Sequence, residues 1–145
     1  VTLSMEVSIN TASSPLLGTG KNMLIPMVTY SRVLTQGKSV LSLVFQQVNS
    51  VGGDPERAKQ SYSKIQPVLI NLLSKHTWTV VSPECFIDYV HGGVSMNLET
   101  RLAHAVTPRV NVAVQLGVGL FGDFYARYTW FAGIGGRYFL FREGK

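Results

Sequence analysis

Charge is scarce in this chain. Of its 145 residues only 14% are charged, against the ~25% usual for soluble chains, and a small soluble domain normally covers its large surface with charge. Cysteine is nearly absent: Cys85 stands alone, so no disulfide within the chain is available. Long hydrophobic runs are missing. No stretch approaches the ~18 consecutive apolar residues that mark a membrane-spanning helix, although 46% of the chain is apolar. Basic runs are missing as well. The net charge of +5 is carried on scattered Lys and Arg, which reads as loop solvation and not as a nucleic-acid patch. The chain opens on Val1 inside a strand-like run, so a removed leader or absent upstream residues is expected.

What the chain does have is alternation. In VNVAVQLGVGLFG (110–122), Val110, Val112, Val114, Leu116, Val118 and Leu120 are large and apolar, while Asn111, Ala113, Gln115, Gly117 and Gly119 are small or polar. Period two over eleven residues is the pattern of a strand whose faces meet different environments. GVGLFG also spells the G-x-G-x-x-G of a dinucleotide loop. That loop must open an amphipathic helix at its third Gly, and the following DFYARYTW is too short and too aromatic to be one. The strand reading is the stronger.

Seven more runs behave alike: 1–10, 22–34, 39–51, 61–73, 77–90, 95–107 and 129–141. Each matches or exceeds the roughly 9–11 residues that a tilted strand needs to cross a bilayer. The connections alternate between long (11–21, 52–60, 123–128) and short (35–38, 74–76, 108–109), with 91–94 intermediate. Outer-membrane barrels are built this way, with tight periplasmic turns and larger external loops. Strands two to four alternate less cleanly, and Pro26, Pro67 and Pro83 fall within runs. Proline removes a ladder donor, so an edge, a bulge or a strand end is expected at each.

The expected fold is therefore all-β: one domain over 1–145, an antiparallel up-and-down transmembrane β-barrel with eight strands in this chain. The polar rows are too poor in charge to be a water-facing exterior, and a polar lumen with an apolar, lipid-facing outside fits them better. Glu6, Lys64, Glu84, Asp88, Glu99, Arg101, Gln115 and Arg137 are the lumen-lining candidates. Val112, Val114, Leu116, Val118, Ile134 and Leu140 are the lipid-facing candidates. Trp78, Tyr89, Trp130, Tyr138 and Phe141 cluster near strand ends, as an interfacial aromatic girdle would. Glu84 and Asp88 share a strand face, with Glu99, Arg101, Lys64 and Arg137 placed to join them in a charged network. Such a network either lines a narrow pore or plugs it, and buried ions need partners in both cases. An unpaired backbone group costs several kcal/mol in hydrocarbon. Either the first and last strands pair, or further strands or a partner chain fill the gap.

Three features carry a family resemblance: the T-A-x-x-x-x-L-G-T-G-K loop (Thr11, Ala12, Leu17, Gly18, Thr19, Gly20, Lys21), a Gln-containing strand followed by a Gly–Asp loop (Gln46, Gln47, Gly53, Asp54, Arg57), and an Ile-Gln-Pro strand (Ile65, Gln66, Pro67). Over roughly residues 8–73 the chain resembles the outer-membrane transporter family named after the meta-pathway of phenol degradation. The resemblance implies a bacterial outer-membrane barrel for small, often aromatic compounds. It also implies about twelve strands in all, with the earlier ones upstream of Val1; eight alone could still close. GIGGRYFLF resembles the C-terminal signal read by the barrel-insertion machinery, through Gly136, Tyr138, Leu140 and Phe141, although the trailing REGK departs from it. An ordinary amphipathic last strand would spell nearly the same letters.

Other motifs fail on inspection. GTGK (18–21) would need Gly at position 15 and Ser or Thr at 22 to be a P-loop, and the chain has Pro15 and Asn22. His76, His91 and His104 fall on different turns or faces, which does not indicate a metal site. No nucleophile motif accompanies His104, so an enzyme is not expected, nor is a cofactor. The expected function is a small porin-like channel or transporter for small hydrophobic or polar solutes in the outer membrane of a Gram-negative cell. Its expected partners are membrane lipid, the insertion machinery, and an envelope assembly or a second copy of itself, with no nucleic acid. A non-conducting structural barrel is the first alternative and a soluble lipocalin-like binder the second.

Overall fold

The computed structural model of the protein describes residues 1–10, 20–34, 37–122 and 129–138. Eight strands follow one another: β1 (Thr2–Ser8), β2 (Lys21–Leu34), β3 (Ser39–Gly53), β4 (Ser61–Leu72), β5 (Thr77–Asp88), β6 (Val94–Thr107), β7 (Val110–Phe121) and β8 (Trp130–Tyr138). Each pairs antiparallel with its neighbours in sequence, in the order β1 to β8, giving one up-and-down sheet. In the antiparallel order the C-terminal ends of β1, β3, β5 and β7 lie at one end of the sheet and those of β2, β4 and β6 at the other. Period-two runs thus become strands with ends displaced by only a few residues. Phe139, Leu140 and Phe141, expected at the end of the last strand, lie outside the described residues.

One expectation needs correction. The eight strands do not close into a barrel by themselves: among the described residues β1 and β8 are the two open edges. Periodicity within a strand fixes its sidedness, whereas closure depends on strand number and stagger around the ring. No single strand encodes either. The accessible surface of 9987 Å² exceeds by about a third the ~7,400 Å² expected of a folded monomer of this mass. Among the described residues the sheet is one layer thick with nothing packed on its outer side, which contributes to the excess.

The prolines also sit differently from expectation. Pro67 and Pro83 are in the middle of interior strands, not at edges or ends. The β4–β5 ladder pairs Ile65 with Cys85 and Leu69 with Val81 and is interrupted between them. Continuing that register sets Pro67 and Pro83 opposite each other, so two missing N–H donors share one gap. Pro26 stands likewise where the β2–β3 ladder is interrupted between Leu24 and Met27, while still pairing with Met5 of β1. Side chains bridge the β4–β5 gap: Gln66 Nε2 donates to Ser82 Oγ at 2.7 Å and Lys64 Nζ to Glu84 Oε1 at 3.0 Å.

At the long-loop end β3 closes tightly on β2. Gly53 has φ of +102°, and a Cβ there would lie 2.5 Å from the Gly20 carbonyl oxygen and 2.8 Å from Lys21 Cα. Asp54 N–H donates to that same Gly20 oxygen at 2.9 Å, and Lys21 Nζ donates to the Asp54 carbonyl at 2.6 Å. Gly53→Ala therefore combines a left-handed backbone with a clash, and about 2–3 kcal/mol of stability should be lost. Gly92→Ala is the control: its φ is +75° with open space around the Cβ position, and about 1 kcal/mol is expected. Urea unfolding of both variants measures the difference.

Candidate functional site

The pleat sends alternate residues to opposite faces, and the register aligns them into rows across the sheet. One face carries the rows Ser82–Glu99–Gly117–Phe131, Val80–Arg101–Gln115–Gly133 and Trp78–Ala103–Ala113–Gly135. This face is concave, with cavities opening between β4 and β7 and between β5 and β8. Burial follows it. The buried apolar residues Met23, Val48, Phe86 and Ala103 lie on this face together with buried Ser82, Asp88, Ser95 and Asn97, while buried Ser63 lies on the opposite one. Asn97 is 0% exposed, which is unusual for an amide in any fold.

All eight lumen-lining candidates fall on this concave face by register. They form separate groups and not a single network. Lys64 and Glu84 make an ion pair whose side chains are only 19% and 13% exposed, and Lys64 Nζ also stands 6.0 Å from the centre of the Phe86 ring. Gln115 bridges two charges: its Nε2 donates to Glu99 Oε2 at 3.0 Å, and its Oε1 accepts from Arg101 Nη2 at 2.9 Å. Asp88 turns instead to the loop end, where its carboxylate accepts from Val90 N–H at 2.8 Å and lies 3.0 Å from His91 Nδ1. Among the described residues Glu6 and Arg137 make no ion pair. Gly117 and Gly133 stand opposite Glu99 and Gln115, leaving room for the longer side chains to extend.

The other face is apolar and uncovered. Val112, Val114, Leu116 and Val118 are 40–51% exposed and Ile134 is 88% exposed; Leu140 lies outside the described residues. The same face carries Leu3, Met5 and Val7 on β1, Val28 and Tyr30 on β2, and Leu41, Leu43 and Phe45 on β3, all exposed. Soluble monomers rarely expose contiguous apolar patches beyond a few hundred Å². This one runs across the whole sheet.

Polar rows bound the apolar belt on β3 and β4. At the short-turn end Ser39 Oγ donates to Asn71 Oδ1 at 2.7 Å. Toward the loop end Ser63 Oγ donates to Gln47 Oε1 at 2.6 Å and meets the Tyr89 hydroxyl at 2.8 Å, while Ser61 Oγ donates to Asn49 Oδ1 at 2.9 Å. Ser39 pairs with Asn71 and Gln47 with Ser63 in the ladder, so the two rows are eight residues apart on each strand. That is about 27 Å along the strand, or roughly 20 Å once tilted by the 35–45° of a barrel. Only Leu41, Leu43, Phe45 and Ile65, Pro67, Leu69 face outward between them.

The aromatic candidates divide. Trp130 and Tyr138 are exposed at the two ends of β8, on the apolar face. Tyr89 reaches the polar row through Ser63. Phe141 lies outside the described residues. Trp78 does not belong with them: its row partner is Ala103 and it lines a concave-face cavity with Arg101 and Arg137. Its even number, in step with Ser82 and Glu84, already implied that side. The polar rows at Ser39/Asn71 and Gln47/Ser63 were missed, since Gln47 and Asn49 look like mere breaks in alternation until β4 is laid against β3.

No family model, no curated protein and no solved structure matches the chain.

The Lys64–Glu84 pair sits over the proline gap, so its loss should register in stability. Lys64→Met strands a mostly buried carboxylate and should cost about 2–4 kcal/mol, whereas Lys64→Met with Glu84→Leu should recover most of that. A double-mutant cycle by urea unfolding reads the coupling.

Proposed function

We propose that this chain forms the wall of a β-barrel in a bacterial outer membrane and acts there as a small channel or transporter. The observation that carries the reading is reversed sidedness. Aliphatic rows stand exposed on the convex face, while the Lys64–Glu84 pair and the Glu99–Gln115–Arg101 group lie on the concave one, beside apolar residues of β2 to β5 such as Val44, Val48 and Phe86. A lipocalin-like soluble binder needs the opposite arrangement. An apolar belt between two polar rows, its height approaching the ~25 Å lipid-facing band of known barrels, supports lipid as the solvent of the outer face.

Open edges at β1 and β8 cannot persist in hydrocarbon, where each unpaired backbone group costs several kcal/mol. The ring is therefore completed by strands beyond these eight, either earlier strands of the same polypeptide, as the family resemblance implies, or strands of a partner. A ring larger than eight also leaves space inside that side chains do not fill, which favours transport of small solutes. The non-conducting alternative rests on a specific observation: Lys64–Glu84 and Glu99–Gln115–Arg101 tie the polar face together as a plug would. Single-channel recording separates the two.

Paired substitutions on adjacent residues test the sidedness. Val114→Lys places a charge on the outer face, and in a bilayer it should cost about 2–4 kcal/mol and reduce the folded, heat-modifiable form on gels. Gln115→Lys, one residue on, should cost far less. The reverse ranking would refute the membrane assignment.

A further inference from the structure

We infer that the concave face holds a binding site for a small organic carboxylate, in the basin between β5 and β8. The basin has a volume of about 280 Å³. Its floor is the row Ala103–Ala113–Gly135 with Gly133 beside it, and these small side chains create the space. Arg101 stands one row to one side of that floor and Arg137 one row to the other. Trp78 closes the β5 end of the row. Asn111, opposite Arg137, adds an amide.

The charge in the basin is one-sided. Both arginines line it, and no carboxylate does among the described residues. Glu99 lines the neighbouring cavity instead, where Gln115 holds it by its amide nitrogen while engaging one Arg101 nitrogen through its amide oxygen. Among the described residues Arg101 and Glu99 form no direct ion pair. A guanidinium offers five donors in a planar fork suited to a carboxylate, and two of them flank this floor. Trp78 and the alanines supply an apolar wall for the body of the ligand. A bare inorganic anion would use the charges and leave that wall uncovered, so the site fits a carboxylate with a compact hydrocarbon body.

The inference rests on the proposed reading in one respect, that the concave face is open to water. Binding tests it directly. The chain holds two tryptophans, so Trp130→Phe leaves Trp78 as the sole indole reporter. The full chain carrying that substitution, folded in detergent, is titrated with cyclohexanecarboxylate and separately with cyclohexanecarboxamide, its neutral analogue. Saturable change in Trp78 emission with the acid and not with the amide is expected. Arg101→Gln and Arg137→Gln should each weaken binding by about fivefold or more, and Ala113→Leu, which fills the floor without altering charge, should abolish it. Lys59→Gln, an exposed cation outside the basin, should leave it unchanged. No saturable response, equal response to acid and amide, or indifference to both arginines would overturn the site. The two failures are distinct. Absent binding in a chain whose folding Val114→Lys still impairs overturns the site alone, and carboxylate binding by a chain that tolerates Val114→Lys overturns the membrane reading alone.

Discussion

An antiparallel strand offers its side chains no choice of neighbourhood: successive residues leave the backbone on opposite sides, and hydrogen-bonded register carries each side across the whole sheet. In a sheet one layer thick this makes two surfaces, and each must suit whatever fills the space against it. Here one surface is largely aliphatic from β1 to β8, and the other carries charged and polar groups among apolar residues such as Val48 and Phe86. Most charges of the strand bodies gather on the concave side, while side-chain hydrogen bonds form on both. A soluble protein would fold such a sheet so that its aliphatic surface disappeared. This sheet bends the other way, burying Asn97 and Ser95 and leaving Leu116 and Val118 outside.

Two places show how the backbone tolerates weak points. Proline in an interior strand removes a donor that a central ladder normally requires. Setting Pro67 against Pro83 confines the loss to one gap, and Gln66–Ser82 and Lys64–Glu84 cross that gap from the concave side. Charge on the concave face thus has a local mechanical role. At the loop end, Gly53 allows the β3 backbone to press against Gly20 and Lys21, anchoring the start of the 54–60 connection.

Much of this was legible in the residues. Alternation in 110–122 located β7 and its two faces, and equivalent runs located the other seven strands, because period two is a local signal that each strand carries by itself. That the set from Glu6 to Arg137 shares one face of the sheet followed from parity alone. What was not legible depends on partners across the ladder. Pro67 and Pro83 were read as separate disruptions because their opposition appears only when β4 and β5 are paired. Gln47 and Asn49 looked like noise for the same reason. Trp78 was grouped with end-of-strand aromatics by position along the chain, although its parity placed it with Ser82. Closure was the least legible feature, since it depends on strand number and stagger and not on any one strand.

The claim beneath the rest is that lipid covers the Val112–Val118 row while water meets the residues between. Nitroxide labels placed one at a time at positions 112 to 118, in a Cys85→Ala background reconstituted in bilayers, read that directly through their collision with oxygen and with a water-soluble nickel chelate. Oxygen accessibility peaking at 112, 114, 116 and 118, with nickel accessibility peaking at 113, 115 and 117, is expected. Nickel accessibility that is high on the even positions, or uniform along the segment, would contradict it.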